Sequence, residues 1–194
     1  MKSRQKQAPQ TATGSETGAI RKNWKGRLRI ALVYPNTYSV GMSNLGFQSV
    51  YRLLNEYDHV VCERVFQPAV QKDVPLSIES KRPLRDFDIV AFSISFENDY
   101  PHILAILDQA ALPLLSSDRG SPHPLVIAGG VACFLNPEPI SAFVDCFLIG
   151  EAEGLLPGFV DHYDPGIDRM NGLARMAVDL PGVYVPALYR ADYR

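Results

Sequence analysis

Five stretches of this chain are apolar along their whole length, and they alternate with stretches whose apolar residues recur at helical spacing. The five are residues 28–34, 60–66, 88–95, 125–128 and 144–149. A strand with one wet face alternates apolar and polar side chains. A strand buried on both faces does not, and runs of that kind belong to parallel sheets sandwiched between helices. Between them, residues 43–56 carry Leu45, Val50, Leu53 and Leu54 at helical spacing, and residues 99–112 carry Ile103, Leu104, Ile106 and Leu107. Residues 137–143, with Asn136 as N-cap and Pro137 in the first turn, and residues 152–162 read as further helices. Residues 69–80 are only weakly periodic and read as a short helix or turn. The pattern predicts an α/β fold: a doubly wound, five-stranded parallel sheet of flavodoxin-like, Rossmann-type order 2-1-3-4-5.

A chain of 194 residues holds one domain with a full core. Residues 1–26 are polar, lack apolar periodicity and read as a disordered leader whose first 22 residues are dispensable. Trp24 is the exception and is expected to dock. Residues 27–163 form the domain. Residues 164–194 are broken by Pro165-Gly166, Pro181-Gly182 and Pro186 and read as an irregular linker, in which 183–189 form a short strand or strap. A net charge of −2 lends no support to a nucleic-acid surface. No apolar run approaches the roughly 20 residues that cross a bilayer, and no secretory signal is present. No membrane association is expected.

Cys62, Cys133 and Cys146 are too far apart for a zinc or iron–sulfur loop and suit buried thiols in a reducing cytoplasm. Cys133 alone lies near the turns discussed next and is a minor candidate for ligand contact. His59, His102, His123 and His162 show no metal spacing, and no serine or cysteine sits in a nucleophile elbow. The chain offers no catalytic residue and no metal ligand of its own.

What it offers is a rim. Parallel strands that end in small-residue turns on one sheet edge make a ligand-binding crevice there. Four such turns are present. The first, residues 35–46, contains Thr37, Tyr38, Ser39 and Gly41. Its alternative role is a capped helix start, with Ser43 or Asn44 satisfying the first turn. The second places Ser93 and Ser95 on one side of a strand end, with helix capping as the alternative. The third is Gly129-Gly130, a bare surface for a planar group or simply a tight turn. The fourth is Gly150-Glu151, where acids also complement a helix dipole. A P-loop and a dinucleotide fingerprint are both missing, which disfavours nucleotide or flavin binding.

The residues at 34–38 and 41–46 resemble a known family as a set. Further matches are Pro83-Leu84, Phe87 to Val90, Phe92-Ser93, residues 125–130, Asn136 to Pro139, Asp145 and Ile149 to Glu151. The chain is similar to the N-terminal cobalamin-binding-like domain of radical S-adenosylmethionine proteins, in an uncharacterised branch. Residues 181–186 resemble the linker that precedes the radical core. The resemblance implies a cobalamin cofactor held at the rim by the ten residues named in the four turns. The corrin would lie over Gly129-Gly130 with its nucleotide tail between the first and third strands. Replacing Gly130 by leucine would then block the ring and leave the fold largely intact, provided the backbone angle there suits a residue with a side chain. No histidine occupies residues 36–41, where cobalamin mutases place their lower ligand. The iron–sulfur cluster and S-adenosylmethionine belong to a core whose three-cysteine loop is absent here. The resemblance thus implies a truncated, split or remnant module, not catalytic alone, with a radical core in the same parent chain or a separate subunit as its partner. The alternative is a docking domain of the same fold that has lost its cofactor.

Overall fold

The computed structural model describes residues 16–70 and 72–190. Strands β1 (Leu28–Tyr34), β2 (Val60–Phe66), β3 (Ile89–Ser93), β4 (Leu125–Gly129) and β5 (Cys146–Leu148) pair in parallel in the order β2-β1-β3-β4-β5. That is the expected doubly wound sheet. A short sixth strand, β6 (Val183–Tyr184), joins antiparallel to β5, with Tyr184 opposite Phe147.

Helices α1 (Tyr38–Met42) and α2 (Leu45–Glu56) follow β1, α3 (Tyr100–Gln109) follows β3, and α4 (Val131–Leu135) follows β4. Helices α5 (Ala152–His162) and α6 (Arg169–Asp179) follow β5. Side-chain alternation divides the core into two layers. Ile30, Leu32, Ala91, Ile127 and Cys146 face α2, α5 and α6. Ala31, Val33, Val90, Phe92, Val126 and Phe147 face α3 and α4. No helix among the described residues is long and apolar enough to cross a membrane.

Three sequence expectations are corrected. The helix expected at 137–143 is instead α4, ending at Leu135, followed by a 3-10 stretch over Glu138–Phe143. Asn136 takes an extended conformation, φ −160 and ψ 97, and closes α4 through its N–H to the Ala132 carbonyl at 2.9 Å. The segment after 164 is not irregular throughout: α6 is capped by the Asp168 carboxylate, which accepts from the Asn171 N–H, and it buries Leu173 and Met176. The described part of the leader, residues 16–26, is docked rather than loose. Lys22 Nζ donates to the carbonyls of Asn55, Tyr57 and Val60 at 2.6, 2.7 and 3.0 Å, closing the carboxyl end of α2. Trp24 Nε1 donates to Glu63 at 2.7 Å, the docking expected of that residue. The rest of the leader lies outside the described residues.

The edge strand β2 is buried along its whole length. Residues 77–80 cover it: the Ile78 N–H donates to the Arg64 carbonyl, and Glu79 accepts from both the Arg64 backbone and its guanidinium. At the other end of the sheet, Asp145 ties three segments together. It accepts from the Val126 N–H at 2.7 Å, from Arg119 at 3.2 and 3.4 Å, and from Arg169 of α6 at 3.2 Å.

Candidate functional site

The reversal of strand order around β1 and β3 decides where a ligand fits. Helix α2 returns over β1 and β2, and α5 over β4 and β5, so the sheet between them has no helix of its own on that face. An apolar slot of about 650 Å³ opens there toward the carboxyl ends of the strands. Leu32, Ala91 and Ile127 form its floor, Val50 and Leu54 of α2 one wall, and Leu155, Leu156 and Phe159 of α5 the other.

Six of the ten rim residues anticipated from the sequence line this slot: Ser93, Ser95, Gly129, Gly130, Gly150 and Glu151. Their positions follow from register. Ser93 lies opposite Gly129 on neighbouring strands, and Gly129 opposite Leu148. The other four, Thr37, Tyr38, Ser39 and Gly41, are not in its lining. Helix α1 turns Tyr38 and Gly41 toward Phe66 of β2 instead. Tyr38 packs edge-on against Phe66 with ring centroids 5.2 Å apart. A Cβ on Gly41 would stand 2.5 Å from the Phe66 ring, so this glycine serves packing. Thr37 and Ser39 remain exposed, their hydroxyls 3.3 Å apart.

Gly130 has φ +104, and a Cβ there would stand 2.4 Å from the Ile94 carbonyl oxygen. The condition under which a leucine at Gly130 would spare the fold is therefore not met. Cys133 is fully buried in the α4 layer, where desolvation pushes its thiol up to about 12; it does not reach the slot.

Asn44 is the residue that sequence reasoning treated only as a cap. It is a cap: its Oδ1 accepts from the Phe47 N–H at 2.9 Å. Its Nδ2 also reaches across the slot mouth to Ser95 Oγ at 2.9 Å. A polar group on the opposite face of the rim was also missed. Asn36 Nδ2 donates to Asp99 at 2.9 Å, and His102 Nδ1 donates to the Pro35 carbonyl at 2.9 Å. The cap was legible from the Asn44 position itself; the contacts that join separate strands were not.

A larger cleft of about 940 Å³ lies at the opposite edge of the sheet. It is a seam rather than a site: Arg29 is paired with Asp88, and Arg119 and Arg169 with Asp145. Volume favours that cleft, but an apolar floor with small residues at its mouth and a place at the carboxyl ends of the strands favour the slot.

A family model described as radical SAM proteins, N-terminal, matches residues 46–186. The chain belongs to this family. As a radical SAM N-terminal domain it is also similar to an uncharacterized protein of Methanocaldococcus jannaschii, 26% identical over 125 residues. That alignment covers 64% of this chain and 24% of the relative, so the chain spans about a quarter of the relative's length. No solved structure matches this radical SAM N-terminal domain.

Proposed function

We propose that this domain is the cobalamin-binding module of a radical S-adenosylmethionine enzyme, with the slot taking the nucleotide tail and the glycine rim the corrin. One observation carries the reading: an apolar slot of about 650 Å³ opens beside the topological switch point of β1 and β3, with the glycine turns after β4 and β5 at its mouth. The residues present fit such a group. Ser93 and Ser95 would meet the tail, and Gly129, Gly130 and Gly150 would let a broad ring approach the backbone. Glu151 would accept from amide groups at the ring's border, with Thr37 and Ser39 beyond it. Bound cobalamin supplies cobalt redox and alkyl-transfer chemistry; this chain's part is to hold the tail dry and set the ring's height. No imidazole comes from residues 36–41, and His102 Nδ1 is committed to Pro35.

A second feature supports a docking role for the same rim. Phe96, Val131, Phe134 and Leu135 are 60, 55, 64 and 70% exposed beside the slot mouth. Large apolar side chains grouped in this way mark interaction surfaces. In this reading they meet the radical core, which would carry the iron–sulfur cluster and S-adenosylmethionine.

Calorimetric titration with hydroxocobalamin, and with cobinamide, which lacks the tail, tests the proposal. Hydroxocobalamin should bind and cobinamide should bind more weakly. Ser49, exposed on α2 at the slot wall, offers a clean block. Ser49→Trp should keep the melting temperature and weaken hydroxocobalamin at least about tenfold. Absence of binding by the folded wild type would leave the docking role alone.

A further inference from the structure

Residues 16–24 form no helix or strand, yet they cross the edge of the sheet from the core layer where Ile20 packs to the one where Trp24 packs. Each anchor of this arm meets a partner that the rest of the domain holds in place. Arg64 of β2 is 2% exposed. Glu79 accepts from its backbone N–H at 2.8 Å and from its Nε at 2.7 Å, and the guanidinium carbon stands 4.5 Å from the centroid of the Tyr51 ring. These contacts orient the guanidinium without the arm. Its remaining fork, Nη1 and Nη2, donates to the Glu16 carboxylate, the geometry that suits a carboxylate best. Four residues on, the Tyr51 hydroxyl accepts from the Ile20 N–H at 2.8 Å and donates to the Ile20 carbonyl at 3.1 Å. Two residues further, the Lys22 ammonium fills the carbonyl set of Asn55, Tyr57 and Val60 at the negative end of α2.

We propose that the face formed by α2 and β2 is a peptide-recognition groove whose resident ligand is the chain's own arm. The groove reads an extended segment by a carboxylate, an apolar residue four positions on and a lysine two positions beyond that. Preorganised partners are what the binding of a separate segment requires, because little has to be ordered when the segment arrives. An arm that belonged to the core would join it through a continuous apolar stripe; here isolated, directional anchors are separated by Thr17, Gly18, Ala19 and Arg21. A partner peptide with the same pattern enters only by displacing the arm, which makes the arm an autoinhibitory contact. A short tether holds it at an effective concentration on the order of millimolar, so the intact chain excludes weak competitors. Neither Arg64, Tyr51 nor the carbonyl set lines the slot, so the groove stands or falls separately from the cobalamin reading.

The test keeps the whole chain and cuts only the tether. A site for a specific protease is inserted between Lys25 and Gly26, in the exposed turn before β1, and is cleaved after folding. Trp24 is the chain's one tryptophan, so its fluorescence anisotropy reports whether the arm is bound. The nicked protein should retain the arm, and a synthetic peptide of residues 16–25 carrying Trp24→Phe should displace it reversibly. The same peptide carrying Glu16→Gln as well should be needed at about tenfold or higher concentration, the effect of losing charge-assisted hydrogen bonds to Arg64. An arm that leaves a folded domain and does not return, or that yields to neither peptide or to both alike, overturns the proposal.

Should the nicked chain unfold as the arm departs, the uncut chain decides. The Ile20 N–H is held by the Tyr51 hydroxyl, so its hydrogen exchange reports opening of the arm. Glu16→Gln, four residues away, should speed Ile20 exchange about tenfold or more while the amides of β1 and β3 keep their protection. That outcome shows the arm opening as one unit from an intact domain. Unchanged Ile20 exchange would mean that the anchors act singly, and exchange that rises equally in β1 and β3 would mean that the arm is part of the core. Either result overturns the proposal.

Discussion

Gly130 combines two constraints that usually occur apart. Its φ of +104 is a conformation that side-chain-bearing residues rarely adopt, and its missing Cβ is where the Ile94 carbonyl oxygen passes. The Ile94 carbonyl also accepts from the Ala132 N–H at 3.3 Å, so the oxygen cannot simply move aside. Gly130→Ala, the smallest possible change, should thus lower unfolding free energy by about 2 kcal/mol or more in urea titration. A variant as stable as wild type would show that the turn can relax. The residue scale also marks the limit of sequence reading. Gly129-Gly130 and Ser93 are conspicuous because small residues at strand ends have few other uses. Asn44 is not, because its second contact depends on how α2 is set against β3, which no local pattern encodes. Thr37 to Gly41 misled for a related reason. Small and hydroxylated residues suit a ligand loop, but they also suit a helical turn packed on Phe66.

The long elements were legible and the short ones were not. β1, β2 and β4 are continuous apolar runs, and α2 and α3 show clear periodicity; burial on two faces or one stripe is written directly in residue type. α1 and α4 have five residues each, too few for a period to repeat. α6 buries only Leu173 and Met176 fully, so its stripe is narrow. The described part of the leader, residues 16–26, was misjudged because isolated residues, not a periodic stripe, make its contacts. It contains no apolar run, yet Ile20 exchanges hydrogen bonds with the Tyr51 hydroxyl, Glu16 pairs with the buried Arg64, and Lys22 and Trp24 anchor its end. Deleting the chain through Lys25 would strip a partner from Arg64 and Glu63, which are 2 and 3% exposed, and leave the carboxyl end of α2 open. Removing partners from buried charges is costly. The truncated protein should lose more than about 2 kcal/mol in chemical denaturation. An unchanged melting temperature would show that these bonds add nothing.

At the scale of the whole molecule the two edges of the sheet are built on opposite terms. At the carboxyl edge β3 and β4 end in Ser93 and Gly129, and the apolar side chains of Phe96, Val131, Phe134 and Leu135 stand in solvent. At the amino edge Arg29 is paired with Asp88, and Asp145 gathers the start of β4, the loop holding Arg119 and helix α6 into one cluster. The side chain of Arg119 is 0% exposed and that of Asp145 is 3% exposed, so neither charge can fall back on water. Asp145→Asn keeps the shape but leaves two arginines facing a neutral amide. Loss of one partner from a buried pair costs about 3–5 kcal/mol, and urea unfolding should show a decrease of that order. Rim chemistry should not follow. Asp145 precedes β5, and Gly150 lies past its far end, so a change in the amino-edge cluster leaves the strand registers at the slot intact. In conditions where Asp145→Asn is still folded, hydroxocobalamin should bind as it does to wild type. Loss of that binding from a folded variant would mean that the amino-edge cluster sets the slot as well as the stability, and that the two edges act as one unit.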